Sequence, residues 1–172
     1  MDFDAKKEYG QMSGLVWSNN NENAKLYFGD HEIVNDNPPT RDYDGVYIDM
    51  LLQQAKRIEV SQFLQVFYNQ MKPLAKIVVT VPSLEWACRM IATSDNPPAS
   101  TYICIYGTDE EPHQCGMTVH WLRIVCEAIG FETYMTQAMP AKVYVSGAPE
   151  EIQQNIYIGM KPLPRPEEAV CR

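Results

Sequence analysis

Between Tyr43 and Pro82 two apolar, β-rich runs flank a stretch of helical periodicity, and that order restricts the chain to folds in which a helix lies on a sheet. Gly45-Val46-Tyr47-Ile48-Asp49-Met50 and Ala75-Lys76-Ile77-Val78-Val79-Thr80-Val81 read as short buried strands, each bounded by turn or breaker residues. Val60, Phe63, Leu64, Phe67, Tyr68 and Met71 recur at helical spacing between them. Glu59, Ser61, Gln62, Gln65, Asn69 and Gln70 fill the opposite face. Strand, helix and strand in about 40 residues form a βαβ crossover, whose two strands run parallel. The expected class is α/β.

The same stretch resembles the second half of class I S-adenosylmethionine-dependent methyltransferases, in the branch whose fourth strand reads F-D-x-V-Y-x-x-H-V-L-E-H. Here that segment is Tyr43-Asp44-Gly45-Val46-Tyr47-Ile48-Asp49-Met50-Leu51-Leu52-Gln53-Gln54. The family's L-K-P-G-G before its fifth strand, and V-P after it, are matched by Met71-Lys72-Pro73-Leu74-Ala75 and Val81-Pro82. Ile105-Tyr106-Gly107, His113 and Glu127-Ala128-Ile129-Gly130-Phe131 are similar to a downstream Y-G segment, a His and a helix ending in A-G-F. The ordered set, running from Lys25 to Lys161, carries the resemblance. It implies a truncated Rossmann-like methyltransferase fold: a mostly parallel sheet flanked by helices, closed by an antiparallel C-terminal strand pair.

The cofactor half of that fold begins with a strand, a glycine-rich turn and a helix N-terminus, and a later strand ends in an acid for the ribose. Neither is visible here. Lys25-Leu26-Tyr27-Phe28-Gly29-Asp30 is either the family's third strand with its trailing acid or its first strand. Residues 1–24 are too few for a further βαβ unit, which takes about 30. The resemblance therefore implies an incomplete cofactor site, with S-adenosylmethionine binding weak or lost. The family's H-V-L-E-H becomes Met50-Leu51-Leu52-Gln53-Gln54, replacing two imidazoles and a carboxylate with groups that do not titrate near neutrality. Leu74-Ala75 in place of two glycines predicts a different turn, because the freedom for positive φ is gone.

At 172 residues the chain has the size of one domain, 1–172, with an irregular or hairpin segment at 1–24 and an extended tail at 161–172. A net charge of -8, with its 14 basic residues scattered, argues against a nucleic-acid or anionic-membrane surface. No apolar run reaches the roughly 18 residues of a membrane span and no secretory h-region is present, so a cytoplasmic location is expected. Five cysteines without a C-x-x-C pair read as free thiols, Cys88 and Cys126 as small core residues. Removing strands from a doubly wound sheet exposes an edge, which a second copy, a protein partner or an N-terminal hairpin would cover.

Leu15-Val16-Trp17 suggests a strand, and the Asn-rich turn after it suggests a hairpin with Leu26 to Phe28. Asp36-Asn37-Pro38-Pro39-Thr40 and Asp95-Asn96-Pro97-Pro98 are loops. Ser83 caps a helix that carries Leu84, Ala87, Cys88 and Ile91 inward. Thr118 caps a second, with Val119, Leu122, Val125, Cys126 and Ile129 on one face and Gly130 ending it. Phe131 to Gln137, Lys142 to Ser146 and Asn155 to Met160 read as strands, two of which pair.

Asp30 and Asp49 stand at the carboxyl ends of expected parallel strands, where ligands gather in open α/β sheets. Each serves equally well as a helix cap or a solvated acid. Met50, Tyr106 and His113 complete the cofactor or pocket candidates. His113 at its family-matched place is a lid or substrate contact, or a hydrogen-bonded structural His; Tyr102 and Tyr106 line a pocket or cover the sheet. His31, His113, His120 and Cys115 do not fit a tetrahedral metal pattern, so no metal is expected. Cys115 is a poor nucleophile without a lowered pKa. The expected function is a non-catalytic, methyltransferase-like module binding a small molecule or a partner. The alternative is an active methyltransferase whose cofactor site another chain or the N-terminal segment completes.

Overall fold

A computed structural model describes residues 15–18, 26–28, 31–33, 43–108, 112–145 and 148–164. The elements in chain order are β1 (Leu15–Ser18), β2 (Leu26–Phe28), β3 (His31–Ile33), β4 (Tyr43–Asp49), a 3-10 turn (Leu52–Gln54), α1 (Arg57–Gln70), β5 (Met71–Pro82), α2 (Leu84–Thr93), α3 (Ala99–Tyr106), α4 (Val119–Ile129), β6 (Glu132–Val145) and β7 (Ala148–Met160). They build a mixed α/β domain around a five-stranded sheet of order β1-β4-β5-β7-β6, with β2 and β3 forming a separate two-stranded sheet.

The βαβ unit is present as its periodicity requires. β4 and β5 run parallel, with Val46 opposite Ile77 and Ile48 opposite Val79. These four side chains point to one face, where Val60, Phe63, Leu64 and Phe67 of α1 and Leu122 and Cys126 of α4 join them in the main core. Phe63 and Phe67, one turn apart, meet edge to face at 4.9 Å. Beneath α1, the Lys161 ammonium donates to the carbonyls of Tyr68 and Met71, both at 2.7 Å, and so neutralises the negative end of the helix dipole.

In the Met71-Lys72-Pro73-Leu74-Ala75 segment a leucine adopts the positive φ that glycine favours. Tyr43 pairs with Met71 but Gly45 pairs with Lys76, so the extra residues of β5 bulge out of register. Leu74 lies in that bulge with φ 66. Two main-chain bonds hold it there: Leu74 N donates to the Lys161 carbonyl at 2.8 Å and Lys161 N to the Ala75 carbonyl at 3.0 Å. Tertiary pairing with the chain after β7 overrides the leucine's preference.

Four further expectations are corrected. The sheet is not mostly parallel: β4–β5 is its one parallel pairing among the described residues, while β1–β4, β5–β7 and β6–β7 are antiparallel. Leu15–Ser18 does not pair with Leu26–Phe28. It runs antiparallel along β4, Leu15 opposite Ile48 and Ser18 opposite Gly45, and closes that edge. Leu26–Phe28 is neither the first nor the third strand of the main sheet, because it pairs antiparallel with His31–Ile33 in a sheet of its own. Downstream, the first two of the three expected strands fuse into the 14-residue β6, which pairs along its whole length with β7.

The helix caps follow the sequence, whereas the faces of α2 do not. Ser83 accepts from Trp86 N and Thr118 from Trp121 N, and Gly130 ends α4 at φ 116. Within α2, however, Ala87 is buried and Cys88 and Ile91 are exposed. The helix rests against α3, a helix with no clear period, and both sit over one end of the sheet with Ile152. α3 turns Ser100, Thr101 and Cys104 inward and Tyr102 and Tyr106 outward, so those tyrosines do not cover the sheet. Among the described residues no helix is long and apolar enough to cross a membrane. Of the tail, residues 161–164 continue from β7 outside any helix or strand; the remainder, like the loop Asp36 to Thr40, lies outside the described residues.

Candidate functional site

A cleft of about 580 Å³ opens at the carboxyl ends of β4 and β5, the end of an α/β sheet at which ligands bind. Asp49 closes β4 on its floor. Because Asp49 and Thr80 are register mates on the two parallel strands, the Thr80 hydroxyl reaches the Asp49 carboxylate and donates to it at 2.5 Å. Tyr47, two residues back on the same face, also hydrogen bonds to Asp49. Burial first, and then the Asp49 charge, push its phenol well above the usual tyrosine range.

Met50 follows with φ 50, a left-handed conformation costly for a side chain of its size. It is held from both sides. Its N–H is shared between the Thr80 carbonyl (3.0 Å) and hydroxyl (3.2 Å), and its carbonyl accepts from Gln53 Nε2 at 2.6 Å. Gln53 in turn gives its main-chain carbonyl to the N–H groups of Gln114 (2.8 Å) and Cys115 (3.2 Å), which fastens the 112–117 segment over the cleft.

His113 lies on that segment. Its N–H donates to the Tyr106 carbonyl at 2.9 Å, and its Nδ1 lies 3.3 Å from the Cys104 carbonyl. A carbonyl can only accept, so Nδ1 carries the hydrogen of this contact. The opposite wall is apolar, built by Ile103, Pro140, Val143 and Ile152, with Lys142 at the rim. Burial raises the Cys104 thiol to about 11, and that of Cys115 to about 11 against the opposing pull of Arg57, so both stay protonated near neutrality.

Of the sequence candidates, Asp49, Met50 and His113 come together in this cleft. Tyr106 does not line it: at 68% exposure its ring faces solvent, and only its carbonyl serves the site by anchoring His113. Asp30 lies outside the described residues. Tyr47, Gln53 and Thr80 were missed as site residues. Gln53 was visible as the uncharged replacement of a family glutamate, and Thr80 needed the β4–β5 register. No group of three His, Cys, Asp or Glu among the described residues is placed to hold a metal.

On the side of β4 away from β5 lies β1, which runs antiparallel to β4 and so ends at the opposite end of the sheet from the cleft.

No family model matches the chain. No curated protein matches it either. Among solved structures it is similar to an S-adenosylmethionine-dependent methyltransferase from Methanosarcina mazei, with 14% identity and a TM-score of 0.49 over 71% of this chain and 60% of that one. It is also similar to the 1,6-didemethyltoxoflavin-N1-methyltransferase of Burkholderia thailandensis, solved with 1,6-didemethyltoxoflavin and S-adenosylhomocysteine, at 15% identity, a TM-score of 0.46, and 70% and 44% coverage. Human N-acetylserotonin methyltransferase, solved with S-adenosylmethionine, is similar at 14% identity and a TM-score of 0.45, with 73% and 31% coverage. The chain spans less than two thirds of the length of each. These likenesses concern the fold.

Proposed function

We propose that this chain is a methyltransferase-like binding module whose cleft at the ends of β4 and β5 holds a small molecule without transferring a methyl group to it. The observation that carries this reading is the direction of β1. An antiparallel strand beside β4 does not lead a helix N-terminus to the cleft, and among the described residues no other strand lies on that side of β4 to present main-chain amides to a methyl donor. The ionisable groups around the cleft support the same view. The Cys104 thiol and the Tyr47 phenol are driven toward their protonated, unreactive forms, and the Asp49 carboxylate is occupied by Thr80 and Tyr47.

A second reading, methyl transfer with the donor site completed by another chain, is favoured by one feature. The cleft keeps the position at the carboxyl ends of the parallel strands where such an acceptor would be oriented. Titration calorimetry with S-adenosylhomocysteine separates the two. Binding weaker than about 1 mM, or none, is expected of the isolated chain; micromolar binding would overturn the non-catalytic reading.

A further inference from the structure

β1 closes one edge of the main sheet, and β6 forms the other. The order β1-β4-β5-β7-β6 leaves no strand beyond β6 among the described residues. Where its free main-chain groups point follows from β7. Ser83 N donates to the Gln153 carbonyl and Lys161 N to the Ala75 carbonyl, so the odd-numbered residues from Gln153 to Lys161 turn their N–H and C=O groups toward β5. Pro140, Ala138 and Thr136 are the register mates of Gln153, Asn155 and Tyr157. Their main-chain groups therefore turn away from β7, into the open edge.

Pro140 has no N–H to offer there, and a bulge between Thr133 and Met135 interrupts the other end. Together they confine further pairing to Met135-Thr136-Gln137-Ala138-Met139, an uncharged window exposed along its whole length. This window complements itself. About a two-fold axis at Gln137, Thr136 of one copy faces Ala138 of the other, and each such pair exchanges both main-chain hydrogen bonds. Met135 and Met139, at 37% and 38% exposure, then meet across the seam. The same axis brings Glu132 toward Lys142 of the second copy at both ends, and the length of these side chains absorbs the one-residue shift of the bulge. Both are exposed, and neither belongs to an ion pair among the described residues, although Lys142 lies across from Glu151. An unrelated peptide has no reason to carry this reversed match of apolar and charged positions; a second copy carries it by symmetry.

We propose that two copies of this chain join edge to edge through β6, antiparallel about Gln137, into one continuous sheet. Lys142 stands at the rim of the cleft, so each copy sets its Glu132 carboxylate beside the cleft entrance of the other. The pairing does not depend on what the cleft binds.

Sedimentation velocity of the full chain, from about 10 µM to about 1 mM, tests this. A reversible dimer with a Kd on the order of 100 µM is expected from so short a seam. Ala138→Pro removes an outward N–H while leaving the β6–β7 ladder its bonds, and is expected to weaken association about tenfold or more. Glu132→Lys and Lys142→Glu each set like charges across the seam and are each expected to weaken it about tenfold. An equimolar mixture of these two charge variants places opposite charges at both ends and is expected to regain the native association. That mixture decides the matter even where Ala138→Pro disturbs the fold. A native chain that stays monomeric at about 1 mM, a dimer unmoved by Ala138→Pro, or a mixture no more associated than its components would each overturn the proposal.

Discussion

Leu74 and Met50 are the described residues other than glycine with positive φ, 66 and 50, and each is held by bonds from elsewhere in the fold. For leucine the left-handed region costs about 1–2 kcal/mol, while a glycine would return about 0.5–1 kcal/mol of that through its larger unfolded-state entropy. Leu74 is half exposed, so little burial is lost on truncation. Leu74→Gly is therefore expected to stabilise the chain by about 0.5–1 kcal/mol and to raise Tm by about 1–4 °C in calorimetry; a lower Tm would show that the leucine side chain contributes more than its backbone costs. The sequence identified this position and reversed its meaning. Two glycines had been replaced, and the inference that the turn must change overlooked that Lys161, far along the chain, pairs with both sides of it. Asp49 and His113 were legible by position, whereas Gln53 was noted only for the charge it lacks.

At the scale of elements, α2, α4 and β7 meet on a single carboxylate. Glu85 accepts from Val119 N in the first turn of α4 at 2.8 Å, from Asn155 Nδ2 on β7 at 2.9 Å, and from the Ser83 hydroxyl at 3.2 Å. Asn155 is itself buried and donates also to the Met117 carbonyl at 3.3 Å. Removing Glu85 strips an anion from a helix N-terminus and a charged acceptor from a buried amide. Glu85→Ala is expected to cost about 2–3 kcal/mol in urea unfolding. In a double-mutant cycle with Asn155→Ala the two effects should fall short of additivity by about 1–2 kcal/mol; strict additivity would mean that the three elements dock independently. Periodicity predicted α1 and α4, and capping residues placed the starts of α2 and α4, because those signals are local. It failed for α3, whose eight residues start after Pro97-Pro98 and whose Ser100 N–H is bonded by Glu150 from β7 at 2.8 Å. A partner 50 residues away leaves no mark in a short window.

For the whole molecule, the edge of the parallel pair is closed by four residues of β1, and the integrity of the sheet depends on them. Removing residues 1–18 is expected to bare the β4 ladder and to produce association detectable by light scattering at concentrations where the full chain shows less. An unchanged scattering profile would show that this edge is protected in another way. Alkali probes the core. Cys104 and Cys115 titrate at about 11 in the folded chain against 9.0 when solvated, burial being the main cause, so above pH 9 the unfolded chain releases protons that the folded chain retains. Their contribution is intact below about pH 9 and declines up to about pH 11, and denaturant midpoints should fall over that window. The fall should be shallower in a Cys104→Ala, Cys115→Ala variant than in the native chain. The sequence by itself determined the α/β class, the parallel βαβ unit, the helix caps and the carboxyl-end location of the cleft, all of which follow from spacing within about 40 residues. Tertiary structure alone decided the direction of β1, the fusion of β6, the left-handed Leu74 and the unpartnered oxygen of Gln53. Each of these depends on hydrogen bonds made or left unmade between residues distant in the chain, and side-chain periodicity carries no record of such pairings.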